Sequence, residues 1–535
     1  MGRRQEAREY SLEAYHLSLR LDTDGSPRGS LALARSLSDL ADGDWDEGRY
    51  QESILRNEEA VARLRRLAAQ EPDAYQPQLA YLLLSLALDH SALERPEKAA
   101  ELGAEAAGLF RTFVPEAIYR PELASALHTV GHSMRSLGSP DAARESLTEA
   151  IALRQDLAEQ GHPDAWRSLS YSYALLADVD GDQGRWEAAV DQVRRSIAAS
   201  HRVADPDDDD REELVHRLCA LGEWSSRLSQ HREAVAAIRE AVTICQGLDG
   251  PRDRSLEAQS LEALARAYAA AGRDTAHRIL LNQALVIWRE LAHDDQQAHQ
   301  SDLASCLVQL ALTGPRGRGL PLVREAEAIF ERLADTDPAT YGPALVECLM
   351  LRRNILLGQR RFGAAIDSAR RIVQAERAGV MARPEEAAGR FLADALLTAA
   401  KAYAGSGRAA EARAMAAEAV AIIRTAFGLR LVDELPLAIG LHQQAEVLEL
   451  SRGHFHDTAA AVDAAGEAVT RYRRLAMHDR SGLAGALRES TSLLARLLER
   501  LGRHGEAADV RRSLAANPPN YRKPKGSRNH EPAAE

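Results

Sequence analysis

The stretch LHTVGHSMRSLGSPDAARESLTEAIALRQDLA, residues 127–158, holds two helical patterns with a stop between them. Leu127, Val130 and Met134 recur at i, i+3 and i+7, one stripe of a helix, with the small Gly131 beside them. Gly138 ends that helix, because glycine tolerates the left-handed closing conformation. Pro140 and Asp141 open the next one, since proline fits a first helical turn. The second helix turns Ala143, Leu147 and Ala150 to the same side. Small residues at Gly131, Ala143 and Ala150 let backbones approach, while Leu127, Val130 and Leu147 fill the space between them. The stretch reads as a helical hairpin.

The hairpin recurs along the chain. Turn positions fall near Gly48, Glu94, Gly138, Gly184, Ser229, Gly272, Arg316, Arg360, Gly407, Gly453 and Gly502, a period of about 45 residues. Gly184 with Ala189, Gly272 with Ala284, and Gly407 with Ala412 and Ala419 repeat the same spacing. So do the phrases Glu149-Ala150-Ile151, Glu240-Ala241-Val242, Glu418-Ala419-Val420 and Glu467-Ala468-Val469. Several connectors pair a proline with an aromatic shortly after it: Pro72 with Tyr75, Pro115 with Tyr119, Pro163 with Trp166, and Pro338 with Tyr341. Proline ends the long second helix, and the ring is expected to pack across the seam to the next hairpin.

These offsets of large, large, small, then Gly, Ala, large and Ala resemble the tetratricopeptide repeat (TPR) family. The long period is similar to arrays of the kinesin-light-chain type. The resemblance covers nearly the whole chain and implies an all-α fold: an α-solenoid, a right-handed superhelix of antiparallel helix pairs with about eleven complete units.

Composition agrees with that reading. At 535 residues the chain is too long for one core. Its hydrophobic fraction is 45% but its aromatic fraction only 5%, so Ala and Leu carry the apolar mass and favour helix over strand. A net charge of −12 argues against nucleic acid or acidic membrane as the general partner. No uncharged apolar run of membrane-spanning length and no signal-like start is present, so a cytoplasmic protein is expected. Lysine occurs only at Lys98, Lys401, Lys523 and Lys525. Cys219, Cys245, Cys306 and Cys348 stand far apart without a CxxC pair, which suits reduced packing roles.

Breaks divide the array. Gly2, Ala7, Ser11 and Ala14 take the second-helix positions, so residues 1–21 read as an orphan second helix of an incomplete repeat. This motivates the expectation of a fragment or misplaced start of a longer protein, or else an atypical cap. Residues 30–313 form a first block. Gly314-Pro315, Gly317 and Gly319 predict an irregular loop or hinge at 314–321, and 322–516 form a second block. Arg353 puts a charge at a small inward position, which predicts an irregular unit there. The acidic 204–213 leads into a helix start. Residues 517–535, with Arg522, Lys523, Lys525 and Arg528, read as a disordered basic tail.

Motifs for chemistry are weak. Phosphate-loop, dinucleotide and zinc-protease signatures are absent. Asp42, Asp44 and Asp46, and likewise Asp178, Asp180 and Asp182, hint at calcium loops but lack the sixth-position Gly and twelfth-position Glu; they read as solvated helix ends. His454 and His456 lack a third ligand. Cys219 near His216 allows a thiolate–imidazole enzyme as an alternative, with no orienting acid evident. No catalytic residue, metal or cofactor is assigned.

What remains is a surface. The resemblance implies that first helices line a concave groove for a partner peptide or helix. Its groove offsets fall on Ser125, His128, His132 and Arg135; His216, Glu223 and Arg227; and Gln259, Glu262 and Arg266. In the second block they fall on Glu347 and Asn354, Asp394 and Lys401, His442 and Glu446, and Glu489 and Arg496. The signs are mixed, without a Lys and Asn clamp for a terminal carboxylate. A non-enzymatic scaffold for a protein partner is the leading expectation. A sensor module of a larger signalling protein is the alternative, and the oligomeric state is left open.

Overall fold

In this computed structural model the turns set the architecture. The described residues are all except 1, 23–25, 114–116, 248–250, 314–318, 383–385, 427–433, 451–454, 477–482 and 517–535. Gly48, Glu94, Gly138, Gly184, Ser229, Gly272, Arg360, Gly407 and Gly502 all have φ between 54° and 81°. The remaining two expected turn residues, Arg316 and Gly453, lie outside the described residues. Each left-handed residue closes its helix in the same way. The Ser139 N–H donates to Met134 O at 2.8 Å and the Gly138 N–H to Arg135 O at 3.0 Å. Arg185 and Gly184 repeat this pair of bonds on Asp180 and Gly181, and Arg408 and Gly407 on Tyr403 and Ala404. The two bonds satisfy carbonyls that a helix end otherwise leaves bare.

The chain divides into two compact units, Met1–Ile287 and Trp288–Glu535. The first holds α1 (Gly2–Asp22), α2 (Pro27–Asp46), α3 (Tyr50–Gln70), α4 (Pro72–Ala92), α5 (Pro96–Phe113), a short 3-10 turn (Ala117–Tyr119), α6 (Arg120–Ser136), α7 (Pro140–Glu159), α8 (Ala165–Asp182), α9 (Trp186–Ser200), α10 (Asp208–Arg227), α11 (His231–Cys245) and α12 (Pro251–Ala270). The division falls within α13 (Asp274–Asp294). The second unit holds α14 (Gln296–Thr313), α15 (Leu320–Thr336), α16 (Pro338–Gly358), α17 (Phe362–Ala382), α18 (Glu386–Gly405), α19 (Ala409–Ala426), α20 (Glu434–Leu450), α21 (Phe455–Ala476), α22 (Ala484–Arg500) and α23 (His504–Ala516).

Even-numbered helices are the first helices of their hairpins. In each unit a first helix packs on its own second helix, as α6 on α7 or α18 on α19, and each second helix packs on the next first helix, as α5 on α6 or α17 on α18. Each unit is therefore an all-α solenoid of helical hairpins. Ala143, Leu147 and Ala150 are fully buried, and Leu127 and Val130 nearly so. Gly131 is required where it stands: a Cβ there would lie 2.6 Å from Leu147 Cγ. Connector aromatics pack at the seams as expected. Tyr119 meets Tyr81, Phe110 and Phe113, and Trp166 carries the Arg202 guanidinium 4.2 Å above its ring.

Long side chains tie second helices together across several seams, which sequence reading did not anticipate. Arg111 of α5 meets Glu149 of α7 at 2.6 Å, and Arg194 of α9 meets Glu233 of α11 at 2.6 Å. In the second unit Arg377 of α17 meets Glu418 of α19 at 2.6 Å, and Arg424 of α19 meets Glu467 of α21 at 2.7 Å. Each is an Arg-to-Glu staple between second helices of successive repeats, with Arg111, Arg377 and Arg424 at one offset, 17 residues after their turns, and Arg194 at another, 10 after its own.

Two expectations need correction. Asp44 and Asp180 are not solvated ends but buried carboxylates. Asp44 pairs with Arg49 and Arg56, and Asp180 with Arg185 and with Arg144 of α7. Nor does Arg353 disrupt its unit. It is 4% exposed inside an unbroken α16, its guanidinium on Asn354 Oδ1 at 3.2 Å, and burial pulls its pKa down to about 10. The acidic stretch does open a helix: Asp207 and Asp210 cap α10 reciprocally. α1 lies against α2 and leaves Tyr10, Leu17 and Leu21 exposed. The predicted 314–321 loop and the 517–535 tail fall largely or wholly outside the described residues.

Candidate functional site: the first-helix face

The closing turn supplies a ruler along each unit. Thirteen residues before the left-handed residue stand Arg35, Tyr81, Ser125, Tyr171, His216 and Gln259. Six before it stand Asp42, Leu88, His132, Asp178, Glu223 and Arg266. Since 7 residues are close to two helical turns, both members of each pair share one face. None of these side chains is buried. In the second unit the same offsets fall on Glu347, Asp394 and Glu489, and on Asn354, Lys401 and Arg496; none of these is buried either. Arg35, Tyr81, Tyr171, Asp42, Leu88 and Asp178 are members that sequence reading passed over. Measuring back from the turn would have found them.

Successive first helices approach one another directly, α4 to α6, α10 to α12 and α18 to α20. A polar ladder joins them. His132 Nδ1 lies 3.3 Å from Ser91 Oγ, and His128 Nδ1 lies 3.1 Å from Ser172 Oγ. His128 is half-buried, and desolvation beside Arg154 holds its pKa well below the usual range, so it is neutral. Arg154 donates to Ser168 O at 2.8 Å and also reaches Ser172, and burial lowers its pKa to about 10. Arg135 spans Asp178 at 3.1 Å and Asp182 at 2.7 Å, so these carboxylates are neutralised by a guanidinium. Lower on the face Arg227 stacks on Trp186 at 4.6 Å and pairs with Glu223 at 2.8 Å. Tyr81 is pushed up to about 12 by burial and by Glu122, which keeps its hydroxyl a donor.

The remaining sequence-read residues also lie on first helices. Gln259, Glu262 and Arg266 sit on α12, the first two turns apart from the third. In the second unit Lys401 of α18 meets Glu446 of α20 at 3.0 Å, and His442 meets Ser490 at 2.9 Å. The hydrogen bond from His442, together with Lys401, draws Glu446 down to about 2. Arg496 of α22 meets Glu449 at 3.1 Å.

The cysteine alternative is not assembled. Cys219 Sγ turns to Ser260 Oγ at 3.8 Å, and Cys245 reaches the same hydroxyl at 3.7 Å. Burial raises both thiols, Cys245 to about 11, the opposite of an activated nucleophile. His216 leans instead toward Glu212, 3.8 Å away. Cys306 and Cys348 are fully buried packing residues. Among the described residues no group of three His, Cys, Asp or Glu could hold a metal ion. The side chains of His454 and His456 lie outside the described set. Among the described residues, no helix is long and apolar enough to cross a membrane.

Comparison with known proteins follows the same lines. Residues 123–164 and 392–433 match the family model of the tetratricopeptide repeat, one segment in each unit. No curated protein matches the chain. Among solved structures, BtubC (BKLC) from P. vanneervenii is 20% identical, covering 46% of this chain and 92% of that one, with a TM-score of 0.37. A kinesin light chain candidate of Podosopora anserina with nearly identical TPR-like repeats is 20% identical, over 40% of this chain and 96% of that one, at 0.33. A Signal Transduction ATPase with Numerous Domains from Pyrococcus horikoshii, which has a tetratricopeptide repeat sensor, is 14% identical, over 66% of this chain and 50% of that one, at 0.41.

Proposed function

We propose that this long-period tetratricopeptide array is a protein-interaction scaffold that holds an extended peptide or a helix of a partner along its first helices. The supporting observation is the pair of accessible rows, repeated at fixed offsets from every described closing turn. In the first unit they run without interruption from Arg35 and Asp42 on α2 to Gln259 and Arg266 on α12. Tyr81, Leu88 and Tyr171 supply apolar and aromatic contact, and carboxylates and guanidinia beside them supply selection by charge. The three-dimensional fold itself does not name a ligand.

The test uses peptides selected from a random library on the intact chain. A variant combining Tyr81→Ala, Tyr171→Ala and His132→Glu is expected to lose at least about tenfold in affinity for them, as removal of aromatic anchors does elsewhere. A control with Arg111→Ala and Glu149→Ala, on the second helices, is expected to bind like the parent. Equal binding by the folded triple variant would rule the reading out for the first unit.

A further inference from the structure

The second unit carries a row of carboxylates without cations. Glu347 on α16, Asp394 on α18 and Glu489 on α22 stand at the same offset from their turns and are exposed. Ile439, 39% exposed, lies on α20 seven residues before Glu446. Among the described residues, none of the three carboxylates makes an ion pair, although Arg and Glu elsewhere in the array are paired seam after seam. Even the neighbouring row is satisfied, through Lys401 with Glu446 and Arg496 with Glu449. Asp394 and the buried Arg353 sense each other's charge, but that guanidinium is held on Asn354.

The same chain contains a segment of matching chemistry. After α23 ends at Ala516 the sequence reads NPPNYRKPKGSR, with Arg522, Lys523, Lys525 and Arg528 and no acidic residue before Glu531. Helices of a hairpin are antiparallel, so the end of α23 lies by the start of α22, the half of the helix that bears Glu489. The segment therefore leaves the array at the carboxylate end of the face. The segment 517–528 has a covalent reach of at most about 40 Å. First helices α18, α20 and α22 are in contact in turn, so steps of about 10 Å put Asp394 about 20 Å from Glu489, with Glu347 one hairpin further along.

We propose that the basic segment Tyr521–Arg528 docks in cis along Glu489, Asp394 and Glu347, with Tyr521 available to Ile439, and so occupies the surface of the second unit against partners. Individual exposed ion pairs are weak, but tethering gives the segment a millimolar effective concentration. A partner richer in cations then displaces it. The proposal rests on the first-helix face being a peptide-binding surface. Its failure leaves that reading intact, because the selected-peptide test addresses the first unit.

Carbodiimide cross-linking of the full chain, read by mass spectrometry, is the test. Only four lysines exist, and two of them supply internal controls: Lys98 lies 2.7 Å from Glu101 and Lys401 lies 3.0 Å from Glu446. Lys523 and Lys525 are expected to link to Glu489, Asp394 or Glu347. Those links are expected to fall about fivefold at 1 M salt, and the link to Glu489 about threefold in the Glu347→Gln, Asp394→Asn variant, which keeps that carboxylate, with the Lys401–Glu446 link retained. Arg522→Gln with Arg528→Gln, which leaves the array untouched, is expected to lower them about threefold. The proposal is overturned by tail links that fall on other carboxylates, or that persist in either variant. It is equally overturned if a mixture of isotopically heavy and light chains gives mainly mixed pairs, which would seat the tail on a second copy.

Discussion

The two units use one backbone period to present different surfaces. On the first unit the row thirteen residues before each turn is mostly neutral, with Tyr81, Ser125, Tyr171 and Gln259, while histidine–serine hydrogen bonds join first helices in both units. On the second unit the same row, where the closing turn is described, is Glu347, Asp394 and Glu489, and ion pairs such as Lys401 with Glu446 and Arg496 with Glu449 flank it. The turns and the small buried residues are alike in both. Stacking therefore depends on positions such as Ala150 and Ala419, while the accessible rows are free to diverge, so one chain can offer two binding chemistries.

The sharpest way to break that comparison is to charge the shared core. Ala150 and Ala419 are both fully buried at equivalent helix contacts. Ala150→Glu and Ala419→Glu are each expected to cost about 3–5 kcal/mol, since a buried carboxylate there finds no partner. Hydrogen exchange should show loss of protection concentrated in the mutated unit. Equal melting of variant and parent would refute the assigned helix offsets. A smaller effect is expected from Gly131→Ala, about 1–3 kcal/mol, because its Cβ would press on Leu147. Adding Leu147→Ala should make the pair less costly than the sum, measured by a double-mutant cycle in denaturant.

The hairpins were legible because their signals are local: a turn residue, a proline and a small-residue offset within one repeat. Every described turn residue named from sequence adopts the left-handed conformation, including Glu94, Ser229 and Arg360, which are not glycine. Much of what escaped depends on residues that lie on other helices. Asp180 looked like a solvated end because Arg144, which neutralises it, lies on another helix. The Arg111–Glu149 staple links residues whose adjacency exists only once hairpins stack. Tyr81 and Tyr171 are aromatic, so the sequence alone does not separate them from core residues, although their places on the face are fixed by the same turns.

Acidification should separate the units further. The folded first unit keeps His128 neutral, whereas an unfolded histidine takes up a proton below about pH 6.5. Below that pH the unfolded state binds a proton that the folded state refuses, so stability falls; above it both forms are neutral and the dependence vanishes. Glu446 behaves oppositely in range: its contribution is complete above about pH 4.5 and is lost only as pH approaches about 2. Between pH 6.5 and 5 the α6–α8 region is thus expected to lose exchange protection, corrected for intrinsic rates, before α18–α20. His128→Gln should weaken that dependence, His132 on the same helix, also lowered by burial, supplying the rest; an unchanged slope would assign it to other groups.

The smallest effect concerns the staples that both units share. Arg111→Ala in the first and Arg424→Ala in the second each delete one ion pair whose partners are one-third to one-half exposed. Solvent screening and the entropy of holding two long side chains limit such a pair to about 0.2–1 kcal/mol. High salt should shrink even that difference, because exposed charges are screened within about 10 Å at 0.1 M. Denaturant midpoints of parent and variant should therefore converge as salt rises. If either deletion instead cost several kcal/mol at high salt, the long arginine stems would be acting as packing across the seam, and the second-helix side would belong to the core shared by both units.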